Sequence, residues 1–314
     1  MPNLFFATDI HGSDICWKKF INSGKFYGAE VIILGGDISG KALVPLLDLG
    51  NGKYRATLLQ QEFTLHDEID VDEMEKKIRS RGYYPYRTST EEIQELQQHP
   101  EKLNELFKAQ VLRRMQEWIA YAEDKLAGAS VQCYVTMGND DPFELDDLIR
   151  AGSKNLQVAD NLAIEILPGI EMVSSGWSNR TPWHTQREED EADLEKRYEG
   201  LFSQVKDPHA CVVNFHVPPF NSGLDEAPEL TEDLRPKHAG NALIPVGSKA
   251  GRKMIEKYQP LLGLFGHIHE SKGVTRIGKT VCINPGSMYE QACLLGSLVT
   301  IENKKVKNHV MTTG

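Results

Sequence analysis

An α/β fold is predicted for this 314-residue chain. Three features predict it: short apolar, β-rich runs recur along the chain, helical periodicities separate them, and many of the runs stop at Asp, Asn, His or Gly. The runs read as strands are 4–8, 31–34, 131–137, 163–167, 171–174, 211–215, 261–265 and 280–283. In α/β folds the loops beyond the carboxyl ends of strands are where ligands collect, so the polar residues that end these runs are the first candidates for function.

The first run, Leu4-Phe5-Phe6-Ala7, leads into Asp9, which suits a strand end better than a secretion signal. No apolar run approaches the roughly 18–20 residues a membrane-spanning helix needs, and the expected location is cytoplasmic, with no membrane partner. Between the second strand and the third lies a stretch, residues 41–128, far longer than the usual connection of about 2–6 residues. It is read as a helical insertion within one domain spanning 1–314. Thr88-Ser89-Thr90 before Glu91-Glu92 resembles a capping box, and Leu103, Phe107, Val111, Met115, Trp118, Ala122 and Leu126 form one helical stripe, read as a packed face. Further on, a charged helix is expected over 187–205, its acidic start Glu188–Glu191 solvated at the positive end of the helix dipole.

Composition narrows the class. A hydrophobic fraction of 40% and a charged fraction of 25% are ordinary for a globular chain. Five cysteines, odd in number and without a Cys-x-x-Cys pair, argue against a disulfide framework or a thiolate zinc site. The net charge of −10 argues against general nucleic-acid binding, since phosphate contacts come from Lys/Arg surfaces. A small phosphate ester can still bind where local charge is positive, and nothing in the pattern defines an oligomeric state.

The chemistry-bearing residues follow the strands: Asp9 and His11, then Asp37, Asn139, His216, and finally His267 and His269. Any one pair alone is weak, but five segments each ending in such residues form a constellation. Imidazole nitrogens and carboxylate oxygens suit Mn, Fe, Zn, Ni or Co and leave positions for water and substrate. Two carboxylates against two divalent ions leave a net positive site inside an acidic protein.

Asp9-Ile10-His11, Gly36-Asp37-Ile38-Ser39-Gly40, Gly138-Asn139-Asp140-Asp141, His216 and Gly266-His267-Ile268-His269, in that order, resemble the calcineurin-like metallophosphoesterase family. Asn284-Pro285-Gly286-Ser287 adds a resemblance to its phosphodiesterase-like branch. The likeness covers nearly the whole chain except the insertion. It implies a four-layer sandwich of two mixed β-sheets flanked by helices. It also implies two divalent transition-metal ions, one held by Asp9, His11, Asp37 and His269, the other by Asp37, Asn139, His216 and His267, with Asp37 bridging. Asn139 is also a substrate-contact candidate. The implied activity is hydrolysis of phosphate esters by a hydroxide held between the ions.

One position departs from the family pattern. Many monoesterase members have His after the Asn ligand, where this chain has Asp140. An ionised carboxylate there repels a dianionic monoester more than a diester, which favours phosphodiesters. Asp140 as a general acid and Asp140 as a loop hydrogen-bonding residue both stay open. Asp141 is a candidate for orienting the site, or a helix N-cap before Pro142. His184 and His238 are read as loop residues, and Trp177–Trp183 as a segment suited to a ring and a phosphate, or as a packed loop. The rival to an enzyme is a non-catalytic metal-binding scaffold using the insertion as a partner surface, and loss of ligands would be its mark. A polymer-cutting nuclease is disfavoured by the charge.

Overall fold

A computed structural model describes residues 2–231, 233–240 and 242–314, without the side chains of 238 and 239. Two six-stranded sheets lie face to face. One has the order 305–313, 295–302, 3–7, 31–34, 132–135, 156–158, and the other 273–277, 280–284, 262–264, 211–215, 170–175, 163–167. The strands 3–7, 31–34, 132–135 and 156–158 pair in parallel, as do 280–284, 262–264, 211–215 and 170–175, and the remaining pairings are antiparallel.

Strand periodicity explains the layering. In the first strand Leu4 and Phe6 point to one face and Phe5 and Ala7 to the other, and the second strand divides Val31 and Ile33 from Ile32 and Leu34 in the same way. Leu4, Phe6 and Ile33 meet Met172, Val212, Leu264 and Ile283 of the second sheet in the central core. Phe5 and Ile32 pack outward against Trp17, Phe20, Met115 and Trp118, while Val213 and Phe215 pack on Tyr198 and Met254. Both faces of each sheet are thereby covered, which is why the central strands read as continuous apolar runs. The architecture is a four-layer α/β sandwich of two mixed sheets.

The insertion carries the helices expected of it and, in addition, a sheet that the sequence reading did not include. Residues 43–50, 53–58, 61–65 and 84–88 form a four-stranded sheet in the order 61–65, 53–58, 43–50, 84–88. The helix Glu68–Ser80 covers it, and Val44, Leu46, Ala56, Leu65, Val71, Met74 and Ile78 close its own core. Asn51-Gly52 at the tip is the strongest short hairpin signal a sequence carries; the polar residues of 53–65 obscured it. The two remaining helices follow the pattern. Ser89 caps the helix Thr90–Gln98 by accepting from the Glu92 N–H at 3.2 Å, and on the helix Pro100–Leu126 the stripe is buried from Val111 to Leu126, while Phe107 is half-buried and Leu103 is exposed.

The expected helix 187–205 begins later, at Glu191, and ends at Phe202. Glu188 is not on its solvated turn but 4% exposed, in a short strand of residues 188–189. All five cysteines are free, and four are buried. Among the described residues no helix is long and apolar enough to cross a membrane.

Candidate metal centre

The seven sequence-predicted donors converge from both sheets. They leave the carboxyl ends of the strands Asn3–Ala7, Val31–Leu34, Gln132–Val135, Cys211–Phe215 and Leu262–Leu264, which the parallel registers bring to one edge of the sandwich. Donor atoms of Asp9, His11 and His269 lie within 4.8 Å of one another, as do those of Asp37, His216 and His267. Asn139 joins the second group, its Oδ1 3.1 Å from His216 Nε2. Asp37 stands between them: Oδ2 is 3.6 Å from His11 Nε2 and Oδ1 is 3.4 Å from His216 Nε2.

These spacings suit donors to cations rather than a packed polar core. Two donors about 2.1 Å from one ion stand about 3.0 Å apart in an octahedral shell and about 3.4 Å apart in a tetrahedral one. Here His11 Nε2 faces His269 Nε2 at 3.0 Å, and Asp9 Oδ1 is 3.4 Å from His269 Nε2. The backbone is bent to achieve this. Asp9, His11, Asp37 and His267 have φ of 53°, 37°, 47° and 65°, a region non-glycine residues enter at a cost and hold only where the surroundings fix them.

The surroundings that fix them are specific. Asp141 does not cap a helix, correcting that expectation: the helix Glu144–Gly152 starts beyond it, with Phe143 at the cap position. Its buried carboxylate accepts instead from the N–H groups of Ile38, Ser39 and Gly138 and from Ser39 Oγ, at 2.6–3.1 Å, tying the Asp37 loop to the Asn139 loop. Its two oxygens are both engaged by these loops. Gly138 makes this approach possible, since a Cβ there would stand 2.0 Å from Asp37 Oδ1. The Asn284–Ser287 turn has a like role: Ser287 Oγ donates to the Asp9 carbonyl at 2.6 Å and Asn284 Nδ2 to the Ile268 carbonyl at 2.9 Å.

Orientation of individual donors is also set. His216 Nδ1 is 3.0 Å from the Gly35 carbonyl, to which its assigned proton is donated, so Nε2 is the nitrogen that faces the site. Asn139 Nδ2 donates to Thr185 Oγ1 at 2.8 Å, and Thr185 Oγ1 donates to Glu188 at 2.6 Å, which turns the Asn139 carbonyl oxygen inward. Glu188 also receives Thr181 N–H and Oγ1 and Thr185 N–H, the physical reason it is buried.

Charge in the cluster is strongly polarised. Burial alone would raise Asp9 and Asp37, yet the histidines around them hold both well below the usual carboxylate range. Burial opposes protonation of His216, but the Asp37 and Asp9 carboxylates push it up to about 10; burial brings His267 down to about 4. The cluster is a field that demands positive charge. Beside it, burial and the neighbouring Asp37 push the Asp140 carboxyl up to about 7 against the pull of Lys41, whose Nζ is 3.4 Å away.

Sequence reasoning missed Tyr84 and Arg114, both from the insertion. Tyr84 Oη accepts from the Gly40 N–H at 2.9 Å, and Arg114 donates to the Gly12 carbonyl at 2.8 Å with its guanidinium over the Tyr84 ring. It also missed Thr185, Glu188 and the buried Arg187, which binds the Asp141 carbonyl. No local pattern announces any of these. His184 is exposed, as expected of a loop residue, and the side chain of His238 lies outside what is described. A cavity of about 1220 Å³ opens over Asp37, Asn139, Asp140, His267 and His269.

Two sheets stacked between helices, with Asp and His donors gathered at the strand ends, make a four-layer α/β sandwich with a candidate metal centre at one edge. Two crystal structures share the fold across the chain. One is TT1561 of Thermus thermophilus, with a TM-score of 0.53 and 13% identity over 100% of this chain and 98% of that one. The other has a TM-score of 0.54 and 14% identity over 100% and 99%. No family model matches the chain. Within that fold the chain belongs to the same family as the uncharacterized protein MJ1162 of Methanocaldococcus jannaschii. The two are 30% identical over 166 residues, which span 52% of this chain and 68% of the relative.

Proposed function

We propose that this protein is a dinuclear metal-dependent phosphoesterase acting on phosphodiesters. The observation that carries the reading is the position of Asp37, whose two oxygens face His11 on one side and His216 on the other. Asp9, His11, Asp37 and His269 would hold one divalent ion, and Asp37, Asn139, His216 and His267 the second. Such ions supply neutralisation of charge on phosphoryl oxygens and lower the pKa of water toward neutrality.

The chain's own groups do the rest. The Asn139 carbonyl is held inward by Thr185, leaving its position fixed before substrate arrives. Asp140 lines the cavity beside Asn139 with its Oδ2 3.4 Å from Lys41 Nζ, a place from which its protonated carboxyl would donate to a leaving oxygen. At higher pH its ionised form disfavours a dianionic monoester, supporting the diester preference.

The test is metal content of the purified protein, then hydrolysis of bis(p-nitrophenyl) phosphate and p-nitrophenyl phosphate with added Mn²⁺. The diester is expected to turn over faster, and Asp37→Ala is expected to lose metal and activity while keeping its far-UV circular dichroism. Retained activity in Asp37→Ala overturns the metal assignment, and equal or faster monoester turnover overturns the diester preference.

A further inference from the structure

The cavity is larger than a phosphodiester group needs, exceeding the roughly 300–1,000 Å³ typical of small-ligand sites. Away from the metal centre its walls turn apolar, with Trp183, Phe220, Pro228, Leu234, Ile244 and Pro245. Trp183 stands out among them. Its side chain is 62% exposed and its ring has no aromatic or cationic partner among the described residues.

That exposure is not the slack of a loose loop. The Trp183 N–H donates to Thr181 Oγ1 at 3.2 Å, and Thr181 and Thr185 on either side are both fastened to the buried Glu188. The same Thr185 orients Asn139. A rigid loop therefore holds a large bare ring at the mouth of the cavity with one end anchored on a metal-site donor. An exposed indole fixed in this way presents a flat face at little further entropic cost, the arrangement used where aromatic groups stack.

We propose that Trp183 is the stacking platform for a planar aromatic group carried by the substrate as the ester group retained on phosphorus, supplied by a nucleoside or by a simple aryl ester. This deepens, and rests on, the phosphodiesterase reading. The bare indole of Trp183 favours a ring over an alkyl chain, which would find no advantage in an indole face.

The experiment uses four p-nitrophenyl diesters with one leaving group and different retained groups: thymidine 5′-yl, phenyl, octyl and ethyl. Each is assayed with Mn²⁺-loaded wild type, Trp183→Ala and Trp183→Phe. The kcat/KM ratio of thymidine or phenyl ester over ethyl ester is expected to fall at least about fivefold in Trp183→Ala and to survive in Trp183→Phe, since stacking on an aromatic side chain has about that worth or more. A fall for thymidine alone identifies a nucleoside substrate, and a fall for both identifies the ring itself. An unchanged ratio, or a fall confined to the octyl ester, overturns the proposal. Binding is read separately: thymidine 5′-phosphate is expected to quench tryptophan emission beyond equal inorganic phosphate, a difference that Trp183→Phe abolishes; no difference overturns the platform. Quenching without turnover of any diester would remove the hydrolase reading and leave the platform standing.

Discussion

Removing one oxygen atom from the insertion is expected to weaken metal binding at a site that oxygen does not touch. Tyr84 is 2% exposed, and its Oη is the acceptor for the Gly40 N–H, which closes the loop that begins at Asp37. Tyr84→Phe keeps the ring under Arg114 and against Phe107 but leaves a buried N–H without a partner. The cost to folding is about 1–3 kcal/mol, a fall in Tm of about 1.5–4.5 °C in a chain of this size. The metal-site effect follows from what still holds the loop. Asp141 continues to bind Ile38 N–H, Ser39 N–H and Ser39 Oγ, so Asp37 loses one of several anchors. Changes of this kind weaken metal affinity by about 10–100-fold, and the surviving Asp141 bonds put Tyr84→Phe near the lower figure. Isothermal titration with Mn²⁺, beside thermal unfolding of the metal-free protein, separates the two effects. Affinity within twofold of wild type with a lowered Tm would show that the insertion supports only the fold, and the reasoning would fail.

Gly138→Ala places a methyl group 2.0 Å from Asp37 Oδ1, so a loss of metal affinity above about tenfold is expected by titration, with far-UV circular dichroism kept. Thr185→Val removes the acceptor that turns the Asn139 amide, and kcat on bis(p-nitrophenyl) phosphate should fall about tenfold; unchanged kcat would dismiss the Asn139–Thr185–Glu188 chain as an orienting device. Asp140→His removes a negative charge from the cavity, and the ratio of monoester to diester turnover should rise; a constant ratio rejects charge repulsion as the source of selectivity. Saturating Mn²⁺ should raise Tm over the chelated protein, since a ligand at about 100 times its Kd adds about 2.7 kcal/mol, whereas an unchanged Tm would contradict metal binding by the folded chain.

The rival scaffold reading gave the insertion a partner-binding role. Its geometry joins it to the centre as well. Tyr84 and Arg114 grip Gly40 and Gly12, each within a few residues of a proposed ligand, and Gly82 packs so closely that an added Cβ would stand 2.1 Å from the His11 carbonyl. The insertion is thus part of what holds His11 and Asp37 in their left-handed conformations.

Sequence by itself determined eight of the twelve sandwich strands, missing 156–158, 273–277, 295–302 and 305–313, and the seven candidate donors at strand ends, because these depend on local order. An apolar run buried on both faces stays apolar throughout, and a parallel strand delivers the residue after its carboxyl end to the same edge as its neighbours. Such information lies within a few residues, so Val31–Leu34 followed by Asp37 could be read directly. Tertiary structure alone decided the rest. The insertion's hairpin depended on pairing between polar strands, the burial of Glu188 on two threonines that chose it as an acceptor, and the roles of Tyr84 and Arg114 on contacts more than 40 residues apart. A hydrogen bond across such a separation leaves no periodicity behind, and only the folded chain reveals which distant groups it joins.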